Sequence, residues 1–501
     1  MKTRPFLIVS LALAFSLLLV NSASALFLPT NGQAATLVLG QPDFTSGASQ
    51  TSQAGIMGPQ DVAVDPTSGK VFVADTMNSR VLRFSNVSAL TNGANAEAVL
   101  GQPDFTSSAP QTTQDGMGDP AGIAVDSAGR LWVSDTSNGR VLRFDNASSK
   151  ANGADADGVL GQLDFTSRLL GPEASQSGLN GPIGLAVDSA GRLWVADYVD
   201  GRVLRFDNAA AKANGANADG VLGEPDFTTV GCITSQNRMC GAADVAVDGS
   251  GHLWVADYRR ILRFDAAAVK PNGADADGVL GQPDFNSVLS GTAQDRIWSY
   301  AAVTTDPTGR LYVADSANNR VLIFDAAASL PNGAGASYVL GQPDFTTGTL
   351  NTGGISAATL DNPFGVFYDP AARVLWVADG GNNRVLMYGQ PYATLHILPF
   401  IGLVRLFLPP GVTPIGSISI ETRDGRLRTF DVSPEVRILP RGRAGELGAG
   451  SFVTLLARMD PLTGHLTVFQ IVVHPEGAGP GFPTLTPTPT ATPVGVPGTV
   501  P

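Results

Sequence analysis

The 501-residue chain carries 44 Asp and Glu against 32 Lys and Arg, a formal net charge of −12, and its length exceeds what one hydrophobic core organises without internal modules. Hydrophobic residues make up 43% and charged residues 15%, with 58 Gly and 34 Pro. That balance excludes a wholly disordered chain and favours an all-β protein rich in turns over a helical one.

The first residues read as an export signal. Lys2 and Arg4 precede an apolar run from Phe6 to Val20, and "ASA" at Ala23–Ala25 offers small residues for cleavage, so residues 1–25 are expected to be removed and the mature chain to begin at Leu26. The apolar run is shorter than the ~20 residues that span a bilayer. A secreted or cell-surface protein that does not span a membrane after cleavage is therefore expected. In such an oxidising compartment the two cysteines, Cys232 and Cys240, are expected to form a disulfide, with free thiols as the alternative, since two ligands with no His or Cys nearby make a poor zinc site.

From Val38 the stretch "VLGQPDFT" appears, and close copies begin at Val99, Val159, Val221, Val279 and Val339. Each is followed by a second pattern, seen as "GIAVDSAGRLWVSDTSNGRVLRF" between Gly122 and Phe144, which also occurs six times. Such a period implies stacked supersecondary units. Within one unit, Ile123–Val125, Leu131–Val133 and Val141–Phe144 are short β-branched or aromatic runs separated by turn residues, and "GVLG" at Gly158–Gly161 supplies a fourth strand. Four-stranded antiparallel units in radial array are propeller blades. There is one "VLG" strand before the first three-strand set and none after the last, so Thr36–Gly40 is expected to complete the blade containing Phe364–Tyr388; "GQPYATLHIL" after that blade is the competing candidate.

The pattern of Pro, "GIAVD", Gly, "LWVAD", Asn and "RVLRF" resembles the NHL repeat, over residues 34–393. The resemblance implies an all-β, six-bladed β-propeller and says little about activity. In every unit an Asp precedes an Arg at the hairpin between second and third strands: Asp75 and Arg80, Asp135 and Arg140, Asp197 and Arg202, Asp257 and Arg260, Asp315 and Arg320, Asp379 and Arg384. Six carboxylates could hold a metal, but each comes with its own Arg, which points to structural ion pairs. Blade four lacks two residues there ("DYRRILRF") and needs a tighter turn. "NGADADG" and its relatives lack the alternating oxygen ligands and closing Glu of a calcium loop, so they read as Asn-Gly turns.

After Tyr392 the repeat stops. "SISIETRDGRLRTFDV", "SFVTLLARM" and "GHLTVFQIVV" mark a separate small β-domain over residues 394–476, weakly similar to OB-like barrels, and residues 477–501 form a Pro/Thr-rich stalk or linker.

Between residues 31 and 393 there are 22 Lys and Arg against 37 Asp and Glu, a poor match to nucleic-acid phosphates. The same region has one histidine, His252, and three glutamates, Glu97, Glu173 and Glu224. No catalytic, metal-binding or cofactor-binding residue is therefore assigned. The sequence points to a non-enzymatic binding or scaffolding surface for a protein, peptide or glycan, with a calcium-dependent propeller hydrolase, lactonase or lyase as the alternative. The turns between second and third strands are the expected binding face: Thr76 and Asn78, Ser137 and Asn138, Tyr198 and Asp200, Asn318 and Asn319, Asn382 and Asn383.

Overall fold

The computed structural model describes Phe27, residues 29–169, 174–299 and 301–389, and, beyond them, residues 398–408, 416–422, 427–439, 451–459 and 466–473. The expected signal peptide and the terminal Pro/Thr-rich segment lie outside the described residues. These fall into two compact units that part between residues 392 and 393.

The first unit is a ring of six four-stranded antiparallel sheets. In blade one the strands run Pro59–Val64 (inner), Lys70–Asp75, Arg80–Asn86 and Ala98–Leu100 (outer). The inner strands of the later blades are Pro120–Val125, Pro182–Val187, Ala242–Val247, Ala301–Thr305 and Pro363–Asp369. Each inner strand packs on the next, and that of blade six packs on blade one, so the ring closes. The local chemistry explains the blades. In "DSAGR" of blade two, Asp126 Oδ1 accepts the N–H groups of Ala128 and Arg130 at 2.9 and 3.1 Å. Gly129 takes φ 74°, which an L side chain would resist, and the chain reverses into Leu131–Asp135.

Apolar side chains from facing blades form six clusters, one at each blade junction; that between blades two and three joins Trp132 and Leu160 to Leu185, Val195 and Phe206. No blade buries its own faces, which is why the unit must repeat.

The recurring "VLGQPDF" links blades to one another. Val and Leu form the outer strand, and the following Gly takes φ between 79° and 86° in all six copies, turning the chain out of the sheet. The Gln buries its amide, Gln102 Nε2 donating to Ser79 O at 3.0 Å and Ala109 O at 2.9 Å. Asp104 Oδ1 accepts the N–H groups of Thr106 and Ser107 at 2.8 and 2.9 Å. Phe105 packs partly buried against the junction of blades six and one.

Closure follows the expected route. Leu37–Leu39 pairs antiparallel with Arg384–Tyr388, with Val38 opposite Leu386. An Asn on the loop after each third strand also caps an outer-strand N–H, as Asn92 Oδ1 does for Val38 at 3.1 Å; Asn31 completes this circle by accepting from Val339 at 3.0 Å. The competing segment after Tyr388 lies almost wholly outside the described residues.

In the second unit, the strands Leu398–Leu408, Gly416–Thr422, Leu427–Leu439, Phe452–Met459 and Leu466–Val473 form a closed barrel in the order first, second, third, fifth, fourth. The third and fifth pair in parallel, and the first and fourth close the barrel. Ile418, Ile420, Phe430, Val432, Val453, Leu455, Val468, Ile471 and Val473 fill its core. Among the described residues no helix is long and apolar enough to cross a membrane.

Candidate functional site

The hairpins between second and third strands share one end of the ring with the long loops that join blades. The register requires this, because Leu100 at the end of the outer strand lies opposite Val81, one residue past the hairpin. Every hairpin Asp contacts its own Arg. In five blades the Arg Nε lies 2.7 or 2.8 Å from the Asp Oδ2. In blade four the shortened turn brings Arg260 Nε and Nη2 to 2.8 and 2.7 Å from Asp257 Oδ2, with Tyr258 at φ 52°. The Arg also donates to the carbonyl of the Phe in the "DF" that follows its blade, and Arg384 reaches Phe44 near the start of the chain. The carboxylate takes further donors. Asp135 accepts from Asn138 Nδ2 at 2.9 Å and from the Gly118 N–H at 2.6 Å. Burial pushes Asp135 above the ordinary carboxylate range, while Arg140, Asn138 and Gly118 pull it back. Asp197 is pushed up to about 7, by burial first, with Arg202 lowering it and Asp200 raising it again.

The turn residues expected as an exposed binding face are not exposed. Thr76, Asn78, Asn138, Asp200, Asn318 and Asn382 are buried, and Ser137, Tyr198, Asn319 and Asn383 are half-buried. The reason is bonding within each hairpin and from it to neighbouring blades and loops. Asn78, Asn138, Asn318 and Asn382 donate to the hairpin Asp, and Thr76 Oγ1 donates to Pro120 O of the next blade at 2.7 Å. Asn383 Nδ2 donates to Gly47 O at 2.9 Å. Asp200 sits 3.2 Å from Arg202 Nη2 and accepts from Asn180 Nδ2 at 3.0 Å. What these turns expose instead includes apolar side chains, Met77 at 62%, Val199 at 61% and Tyr258, while Trp298 is exposed on the loop that leads into blade five.

Along the axis the six inner strands line a cavity of about 280 Å³. One repeat position supplies Asp61, Gly122, Gly184, Asp244, Ala302 and Gly365 to its wall. Asp61 and Asp244 escaped the sequence reading, although stacking the six inner strands shows two acids interrupting a column of Gly and Ala. His252 lies elsewhere, in the turn after blade four's inner strand, with Nδ1 2.7 Å from Asp248 Oδ2. Glu97 pairs with Lys70 at 2.6 Å and Glu224 with Arg238 at 2.6 Å; Glu173 lies outside the described residues. Among the described residues no three His, Cys, Asp or Glu side chains stand close enough to hold a metal. Cys232 and Cys240 are joined, and the Cys240 N–H donates to Asp257 Oδ1 at 2.8 Å, tying that loop to the hairpin pair.

Comparison with solved structures finds many propellers. An auxiliary nutrient binding protein from Bacteroides thetaiotaomicron is 12% identical, with TM-score 0.42, covering 71% of this chain and 76% of that one. A virginiamycin B lyase from Staphylococcus aureus is 14% identical, with TM-score 0.36, covering 66% and 95%. A gluconolactonase from Xanthomonas campestris is 16% identical, with TM-score 0.37, covering 72% and 100%. A search of curated proteins finds no match. The NHL repeat model matches residues 57–84, 117–144, 179–206 and 301–324, which lie in blades one, two, three and five. Blade four, outside those matches, has the shortened hairpin. The four matched segments are NHL repeats, and with the unmatched blades four and six they build a six-bladed β-propeller.

Proposed function

We propose that this is an exported, non-enzymatic propeller whose loop-bearing face binds a protein, peptide or glycan partner. One observation carries the reading. Of the twelve large hydrophobic side chains exposed on the described propeller, eleven lie on the face that bears the hairpins and connecting loops; the exception is Val269. Nine of the eleven fall between Leu163 and Trp298, on blades three to five, among them Val199, Ile233, Tyr258 and Leu289. Exposed apolar residues concentrated on one side mark an interaction surface, whereas scattered ones need no explanation.

The basic residues on that face divide in the same way. Acids occur on the loops of all six blades, but those of blades one, two and six carry no Lys or Arg, while those of blades three to five carry Arg168, Arg238, Arg259 and Arg296. The Cys232–Cys240 disulfide, which fixes the loop bearing Ile233, supports an oxidising compartment. The domain assignment that accompanies this reading is a propeller over residues 34–393 and a β-domain over 394–476, between the signal and the stalk.

The test is a binding screen against peptide and glycan arrays with the wild type and with L163S/V199S/Y258S. Ligands captured by the wild type and lost by a variant of unchanged melting temperature support the reading. Calcium-dependent turnover of lactone or ester substrates, abolished by D61N, would replace it with the channel hydrolase.

A further inference from the structure

The axial cavity holds a device that is independent of the loop face. Asp61 belongs to blade one and Asp244 to blade four, which stand opposite in a closed ring of six. Both line the same cavity. Asp61 Oδ2 accepts the N–H of Ile123, in blade two, at 2.8 Å, and Asp244 Oδ2 accepts that of Val303, in blade five, at 2.8 Å. Each acid therefore fastens its own inner strand to the next one. The bore is tight at this level: a Cβ on Gly184 would strike Asp244, and one on Gly365 would strike the Gln60 carbonyl oxygen and Asp61.

Among the described residues no cation offsets the two acids. The six inner strands contain no Lys, Arg, His or Glu. Against Asp61 pack blade one's second strand and blade six's first three strands. Their charged groups are engaged elsewhere: Lys70 with Glu97, Asp75 with Arg80, Asp379 with Arg384, and Asp369 with the N–H groups of Ala371 and Ala372. Against Asp244 pack the second strands of blades three and four, whose Asp197 and Asp257 face Arg202 and Arg260. Tyr368 and Tyr388 of blade six are neutral, their phenols raised by burial. Burial likewise raises both channel acids. Asp61 is lifted well above the usual range, with Asp244 adding to the effect, and Asp244 is lifted to about 7.

We propose that Asp61 and Asp244 form a proton-holding pair across the axis that keeps the ring tight while at least one carboxyl is neutral and loosens it when both ionise. Repulsion between two carboxylates with no counter-charge is strong where water is scarce. The sign follows from linkage. The folded values lie above the unfolded value of about 3.9, so from about pH 4 to at least pH 7 the folded ring holds more protons than the unfolded chain. The pair's contribution is complete at the acid end and is lost as pH rises through the folded values. Each carboxyl changes the folding equilibrium constant by up to about tenfold per pH unit in that window.

The experiment is denaturant unfolding of the full chain between about pH 5 and pH 9 for the wild type, D61N, D244N and D61N/D244N, with infrared detection of protonated carboxyls at neutral pH. Asn keeps an acceptor for the backbone N–H and carries no charge. The hairpin acids are common to all four proteins and cancel in the comparison. The expected result is a double variant whose stability falls with pH less steeply than the wild type's, by one to two protons, and which has lost part of the protonated-carboxyl band. In D61N the remaining Asp244 should titrate at lower pH than in the wild type, a readout that stands even where the double variant fails to fold. Equal pH slopes in wild type and folded double variant, or an unmoved Asp244 titration in D61N, overturn the proposal. So does a wild-type slope abolished by calcium chloride but not by sodium chloride of equal ionic strength, which would make the pair a cation site.

Discussion

Replacing Asp135 by Ala tests whether the recurring hairpin pair holds the fold. The side chains of Asp135 and Arg140 are both 0% accessible, and Nε lies 2.7 Å from Oδ2. Truncation would leave the guanidinium buried with carbonyl partners alone, at Thr113, Gly116 and Phe165, would strip the Gly118 N–H of its acceptor and would leave Asn138 Nδ2 with Gln111 O alone. An uncompensated buried charge costs about 3 to 5 kcal/mol, and each orphaned donor about 1 to 3 kcal/mol if it finds no water. These terms overlap, so the expected loss is about 3 to 5 kcal/mol in denaturant unfolding. D135N, which keeps an acceptor, should lose less. D135L/R140M, which removes both charges, should recover much of the loss, because an apolar pair of similar volume often matches a buried ion pair. A D135A protein with an unchanged midpoint and unchanged denaturant dependence would refute the reasoning.

Removing residues 27–45 deletes the strand Leu37–Leu39, the Asn31 cap on Val339 and the Phe44 carbonyl that receives Arg384; the melting temperature should fall sharply, and an unchanged one would sink closure by the first strand. D200N restores to blade three the Asn found at this turn in four other blades and relieves the crowding of two acids around Arg202. It should stabilise by about 0.5 to 2 kcal/mol. Because Asp197 is raised to about 7, stability is lost as pH rises through that value, so the gain should be larger at pH 8 than at pH 5; a pH-independent effect would count against it. G122A should destabilise by about 1 to 3 kcal/mol, since its Cβ would collide with the Ile183 backbone carbonyl, which has no rotamer to move. A neutral result by thermal melting would mean that the inner strands can part.

Much of the architecture was legible because the repeat makes each local signal recur. Ile123–Val125, Leu131–Val133 and Val141–Phe144 announce strands by composition, and all three lie within strands of blade two. Closure could be counted from the sequence, since a "VLG" at Val38 has no preceding three-strand set. The barrel was legible only in part. Its strand-forming runs were visible, but the parallel pairing of Leu427–Leu439 with Leu466–Val473 joins segments that no local pattern connects. The turn residues failed for a related reason. Thr76 and Asn78 have the composition of a solvated turn, and composition cannot report that Pro120 O and Gln50 O, 44 and 28 residues away, come down on them.

The two channel acids show how a repeat should be read for function. A residue present in every copy, such as the hairpin Asp, is required by the unit itself: six identical junctions impose six identical demands, and recurrence therefore argues for scaffold. A residue that breaks the column is not demanded by the unit. Gly122, Gly184, Ala302 and Gly365 show what close approach of the inner strands requires. Asp61 and Asp244 put carboxyls without a counter-charge into that crowded position at considerable desolvation cost. The same logic applies to Asp200 beside Arg202, to Glu224 where five other copies have Gln, and to the disulfide-bearing loop of blade four. Of these five departures only Asp61 falls outside blades three and four, and those blades lie within the arc that carries most of the exposed apolar side chains, so the departures from the repeat and the apolar surface single out the same sector of the ring.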